Sequence, residues 1–290
     1  MQIPTAEMSE PTAKLQHETI SLSTGSKSHI WRAKRASARA TIVLQHGFCE
    51  YAERYVDSHH SFIRELNTAG YNVYAPDMWG HGRSPGTRGV THIGKAVNDH
   101  IELRRLAGKD GLPVILFGHS LGGLVTAGSA IADLENINGV IMMGPALPDF
   151  LPGVARAAVG VLARSMPTVS VPMPKSELDG MTRDLEEQKK FTSDPLVPQR
   201  QIPFLLAATA LDTMQQINNG LKKWKVPTLV LHGSADTFTK WQGSETFVKG
   251  IASEDKTFRK YEDGRHELLN DPPCADETLR EITEWIEKHI

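Results

Sequence analysis

The chain has 290 residues, 40% of them hydrophobic and 23% charged, with a formal net charge of −2. This is the balance of a globular protein, long enough for one large α/β domain, and it offers no electrostatic attraction for a nucleic acid. Two cysteines, Cys49 and Cys274, make no disulfide framework, the first twenty residues lack the basic-then-apolar order of a secretory signal, and no run of eighteen apolar residues occurs. The expected location is cytoplasmic.

HETISLST (17–24) and SHIWRAK (28–34) predict two strands around a turn at Gly25-Ser26. TIVLQHG (41–47) is a buried strand by its Ile-Val-Leu run. From about Arg54 to Ala69 the pattern is helical, with Phe62, Ile63 and Leu66 on one face and Gly70 as a stop. YNVYAPD (71–77) is the next strand, followed by a helix from about Ile93 to Leu106. PVILFG (113–118) then runs as a strand into a helix over LGGLVTAGSAIADLE (121–135). GVIMMG (139–144), PTLVLHG (227–233) and KTFRKYE (256–262) complete the strands, and a helix from about Glu277 to His289 closes the chain. Strands alternating with helices predict a mostly parallel twisted sheet with helices on both faces. The core is expected over residues 1–145 and 206–290.

Residues 146–205 break the rhythm, because the connection between strands 139–144 and 227–233 is far longer than a crossover needs. Its first part carries Pro148, Pro152, Pro167, Pro172 and Pro174 among apolar residues that include Leu147, Phe150, Leu151, Val154, Leu162, Met166 and Met173. An insertion of this length inside a compact α/β domain predicts a cap or lid over a site. The stretch GVARAAVGVLARS (153–165) has a second reading, a helix resting transiently on a membrane or lipid droplet, although Arg156 and Arg164 interrupt it.

Gly118-His119-Ser120-Leu121-Gly122 fits G-x-S-x-G, with a strand before it and a helix after. Such a turn strains the serine backbone, and glycines on either side remove collisions between strand and helix. A nucleotide-binding turn is disfavoured, since neither G-x-G-x-x-G nor the P-loop lysine is present. A serine nucleophile needs a base, and the base needs an orienting acid, in the chain order Ser, acid, His. Asp236 follows one strand in SADTFT and His266 follows the next in DGRHELL, both at strand ends where open α/β sheets bind ligands. Asp263 competes for the acid role but shares the loop of His266 and is expected to face water. His119 is expected to point away from Ser120, His46, His81 and His232 to be structural, and His289 to be solvated. The Leu121 N–H is one expected oxyanion donor, and the Phe48 N–H, in the turn HGFCEYAERY, is the other.

These stretches, together with PDMWGHGRSPGTRG and EDGRHELLND, resemble the α/β-hydrolase superfamily, and within it the monoglyceride-lipase and lysophospholipase-like group. The resemblance runs from about residue 17 to the end. It implies the α/β-hydrolase fold, Ser120 as nucleophile, Asp236 as acid, His266 as base, and Phe48 and Leu121 as oxyanion donors. In glycerol-ester members the stretch that corresponds to HGFCEYAERY reads H-G-x-G-E-x-x-x-R-Y. Glu50, Arg54 and Tyr55 match, and Cys49 replaces the glycine. Four apart, Glu50 and Arg54 are expected to pair at a helix start, and the resemblance implies that they shape the pocket for the alcohol. A second histidine of those members, three positions after the catalytic one and near the glycerol hydroxyls, is here Leu269, and the resemblance implies a substrate-binding position there.

The function expected is a serine ester hydrolase acting through an acyl-enzyme on a small-molecule acyl ester, most similar to a monoacylglycerol lipase or lysophospholipase. Hydrolysis of a thioester, amide or small ester, and ligand binding without catalysis, are the alternatives. No cofactor is expected, and no metal, because no His, Cys or Glu cluster has ligand spacing along the chain. Nothing in the sequence sets an oligomeric state.

Overall fold

The computed structural model describes residues 15–33, 38–148, 151–172 and 177–290. Among these, one sheet contains β1 (Gln16–Ser21), β2 (Lys27–Arg32), β3 (Ala40–Gln45), β4 (Tyr71–Pro76), β5 (Val114–His119), β6 (Gly139–Met143), β7 (Thr228–Gly233) and β8 (Lys256–Tyr261). Their spatial order is β1-β2-β4-β3-β5-β6-β7-β8. β2 pairs antiparallel with β1 and β4, and all later neighbours are parallel. The helices are α1 (Arg54–Asp57), α2 (Phe62–Ala69), α3 (Ile93–Ala107), α4 (Leu121–Ala132), α5 (Gly153–Ser165), α6 (Leu185–Ser193), α7 (Phe204–Gly220), α8 (Trp241–Gly250) and α9 (Ala275–Glu287). Each strand falls where the patterning puts one. Lys34, Phe150, Met173 and Pro174, named above, lie outside the described residues.

β3, β5, β6 and β7 are buried along their full length, which accounts for their unbroken apolar runs. The pleat sorts their side chains into two layers. Val43, Leu116, Met142 and Val230 join Leu103 of α3, Leu124 of α4 and Phe247 of α8. Ile42, Phe117, Ile141 and Leu229 join Leu66 of α2 with Ile282 and Trp285 of α9. Each such side chain contributes about 1.5–3 kcal/mol by leaving water. A one-residue slip would exchange the layers, so burial fixes the register.

Three details differ from the sequence reading. The single helix expected from Arg54 to Ala69 is two, because His59, His60 and Ser61 all have φ between 52° and 56°, a left-handed run that a right-handed helix cannot contain. α8 adds a helix that the patterning leaves unassigned. His289 is not solvated: its ring stacks on Trp285 with centroids 3.8 Å apart, and Nε2 is 3.0 Å from Asp255. In addition, α7 crosses the boundary expected at 205/206, and its Leu206, Ala210 and Ile217 lie in the core layer with α3 and α4.

Candidate active site

β5 ends at His119 and α4 starts at Leu121, so Ser120 alone makes the turn, at φ 54° and ψ −121°. Such a conformation costs an L-residue about 1–3 kcal/mol. Backbone hydrogen bonds hold it: the Ser120 N–H donates to the Met143 carbonyl at 3.0 Å, and the Ser120 carbonyl accepts from Gly123 at 2.9 Å and Ala146 at 2.8 Å. Both flanking glycines are sterically required. A Cβ on Gly118 would lie 2.6 Å from the Gly122 carbonyl oxygen, and one on Gly122 only 2.1 Å from that of Gln45.

The loops after β7 and β8 bring Asp236 and His266 to this turn. His266 Nε2 lies 2.8 Å from Ser120 Oγ, and His266 Nδ1 lies 2.7 Å from Asp236 Oδ2. Asp236 is fixed by donors to both oxygens: the Phe238 and Thr239 N–H groups reach Oδ1 at 2.7 and 2.9 Å, and the Thr239 hydroxyl reaches Oδ2 at 2.7 Å. His232 Nε2 is 3.1 Å from the same Oδ2. Burial opposes ionisation of Asp236, but His266 and His232 hold its carboxyl far below the usual carboxylate range. Burial likewise disfavours a charged His266, yet the adjoining Asp236 carboxylate outweighs it and raises that imidazole above its ordinary value. With Nδ1 donating to the carboxylate, Nε2 is left to accept from the Ser120 hydroxyl. Asp263 lies apart, 72% exposed and paired with Arg183 at 2.8 Å.

Among the described residues the N–H groups of Phe48 and Leu121 donate to no protein acceptor; Leu121 opens α4, where the helix dipole favours negative charge. Glu50 lies in the same turn region, since a Cβ on Gly47 would meet both Glu50 Oε1 and Ser120 Cβ.

Glu50 does not pair with Arg54 as expected. The turn at 50–53 precedes α1, so the two are not one helical turn apart. Glu50 Oε1 instead lies 2.9 Å from His119 Nδ1, and Oε2 lies 3.4 Å from His59 Nε2. Burial raises the cost of this carboxylate, but His119, His59 and Arg54 keep it ionised well below the usual range. Arg54 sits over the Phe191 ring at 5.1 Å, 3.9 Å from Glu187. His119 makes no bond to Ser120, as expected, yet its ring lies 4.9 Å from that of His266. Leu269, only 1% exposed, packs in the apolar layer with Phe117 and Ile282.

Other neighbours of the site are only partly anticipated by the sequence reading. His232, expected to be structural, and Thr239, which was not named, flank Asp236 within four residues. His59 had no signal, because the broken helix puts it there; the buried Glu267, whose Oε1 is 3.9 Å from His59 Nε2, was signalled only by its place next to His266. Two groups of side chains among the described residues have ligand atoms within 4.8 Å of one another, Glu50 with His59 and His119, and His17 with His29 and Glu53. Both are assembled from distant segments, so linear spacing does not reveal them.

A serine on a strained strand-to-helix turn, bonded to a histidine that is bonded to a buried aspartate, on a mostly parallel sheet, defines a serine hydrolase of the α/β type. Residues 36–273 match the family model described as "Serine aminopeptidase, S33". The monoacylglycerol lipase of Mycolicibacterium smegmatis is 31% identical, covering 87% of this chain and 89% of its own. The human monoglyceride lipase is 30% identical over 86% of this chain and 82% of its own. The crystal structure of the Paleococcus ferrophilus monoacylglycerol lipase superposes with a TM-score of 0.78 at 31% identity, over 96% of this chain and all of the other. The chain belongs to this α/β-hydrolase family, in its monoglyceride-lipase group, and is a serine ester hydrolase.

Proposed function

We propose that the enzyme hydrolyses long-chain monoacylglycerols or closely related lysolipid esters, with Ser120, His266 and Asp236 as its catalytic triad. His266 takes the Ser120 proton as Oγ attacks the ester carbonyl, and Asp236 keeps the imidazole in the accepting tautomer. The Phe48 and Leu121 N–H groups receive the oxyanion, a contribution of roughly 3 kcal/mol per donor. Collapse passes the proton from His266 to the departing alcohol and leaves an acyl-Ser120. Water then attacks that ester, with His266 again as base, releasing the acid and regenerating Ser120. The observation that carries this reading is the unbroken hydrogen-bonded series from Ser120 Oγ through His266 to Asp236.

Glu50 and Arg54 support a polyol-bearing alcohol. Glu50 Oε2 and both terminal Arg54 nitrogens are buried without a hydrogen-bond partner among the described residues, and buried charged groups in that state favour a polar ligand. Residues 146–205 are proposed as the cap. Outward-facing Val154, 85% exposed, and Val161, 60% exposed, on α5, with Met166 and Val169 beyond it, suit contact with a lipid surface. Among the described residues no helix is long and apolar enough to cross a membrane. Free, buried Cys49 and Cys274 accord with the cytoplasmic location expected above.

A panel of p-nitrophenyl esters from acetate to palmitate, then monoacylglycerols and lysophospholipids, tests the substrate. The expected outcome is rising kcat/KM with acyl length, higher for glycerol esters, and higher still when they are presented on vesicles. A preference for acetate, or for an amide or thioester, would overturn the reading.

Since only neutral His266 accepts the proton, activity should fall as pH drops through its raised pKa. The acid limb of the kcat/KM profile is expected above the ordinary imidazole value of 6.5. In Asp236→Asn the raising charge is gone, so the limb should move to lower pH; an unmoved limb would assign it to another group.

A further inference from the structure

The edge hairpin brings together two histidines that the hydrolytic site does not use. On the β1–β2 ladder His17 is opposite Trp31 and His29 is opposite Thr19, so the two histidines are diagonal neighbours on one face. His17 Nε2 lies 3.0 Å from His29 Nδ1. The His29 side chain is fully buried, and its other nitrogen, Nε2, is 3.2 Å from Asp77 Oδ2. Asp77 is itself fixed, accepting the Ala52 N–H at 2.8 Å and the Arg83 N–H at 2.7 Å. Glu53, immediately before α1, directs its carboxylate to the same place, the three ligand atoms lying within 4.8 Å of one another.

We propose that His17, His29 and Glu53 form a site for a divalent transition cation of the zinc type. Two imidazole nitrogens 3.0 Å apart have about the spacing of neighbouring ligands around an ion with metal–nitrogen distances of roughly 2.0–2.1 Å. The Asp77–His29 bond is the carboxylate–histidine arrangement that orients a metal-binding imidazole and strengthens its other nitrogen as a donor; that nitrogen, Nδ1, also has the Thr19 hydroxyl 3.4 Å away. Two imidazoles and one carboxylate favour zinc, copper or nickel over magnesium or calcium. His17 is exposed, leaving room for water ligands and for exchange.

Arg83 opposes the cation. Its Nε bonds Glu53 Oε2 at 2.5 Å, so guanidinium and metal compete for one carboxylate. The site shares no residue with the triad. A bound cation would fasten the edge hairpin to the turn between β3 and α1, the segment that carries Phe48 and Glu50.

The test is calorimetric titration of the full-length, chelator-treated protein with zinc chloride, alongside thermal melting with and without zinc. One bound zinc and a raised melting temperature are expected. His17→Asn should weaken binding at least tenfold, Glu53→Gln should weaken it less, and Arg83→Gln should tighten it. His60→Asn, whose imidazole pairs with exposed Asp276, should leave binding unchanged. Absence of zinc uptake by the intact protein, or one-to-one uptake that survives both His17→Asn and Glu53→Gln, would overturn the proposal. Glu53 lies off the hairpin, so its variant reports even where a change on β1 disturbs folding.

Discussion

Ser120→Ala is expected to lower kcat/KM for ester hydrolysis by about 10⁴-fold or more while leaving the melting temperature nearly unchanged. The hydroxyl's hydrogen-bond partner is His266, so little structural bonding is lost. Alanine meets the same backbone penalty at φ 54° as serine, so strain is neither added nor relieved. Residual hydrolysis should reflect only the oxyanion donors and binding. The contrast between lost activity and kept stability separates a chemical role from a structural one. A parallel fall in both would assign Ser120 to the turn rather than to the reaction.

Gly122→Ala should do the reverse, destabilising the fold by about 3 kcal/mol. Helix propensity alone would predict a gain of about 1 kcal/mol, since alanine replaces glycine inside α4. Sterics decide the sign. The new Cβ would lie 2.1 Å from the Gln45 carbonyl oxygen and 2.6 Å from that of His46, and backbone atoms of a fully buried central strand cannot yield as a flexible side chain would. Any yielding would displace the chain just ahead of Gly47 and Phe48, so activity should fall with stability. Denaturant unfolding with circular dichroism measures the effect, and a variant as stable as the parent would refute the claimed contact between the α4 start and β3.

The strands were legible because the sheet is covered on both faces: runs such as Ile42-Val43-Leu44 and Ile115-Leu116-Phe117 are apolar at every position, whichever layer each side chain joins. The triad was legible for a related reason. A glycine-flanked serine at a strand end marks a turn whose backbone few sequences tolerate, and Asp236 and His266 follow later strand ends at the same edge. What could not be read was the polar surround. His59 turns inward only because three successive residues adopt left-handed backbone, which nothing in VDSHHSF announces. Glu50 was matched with Arg54 by an interval of four, but the interval means contact only inside a helix, and α1 starts at Arg54. Leu269 was assigned to the substrate by position in a motif, and its burial follows from the chain entering the apolar layer at Leu268 and Leu269.

Labelling of the intact enzyme with a fluorophosphonate, followed by peptide mass spectrometry, tests most directly whether His266 and Asp236 activate the Ser120 hydroxyl. The account predicts one adduct, on Ser120, formed in step with loss of esterase activity and slowed strongly in His266→Ala. Esterase activity that survives full modification of Ser120, or an adduct on another serine that abolishes it, would contradict the account.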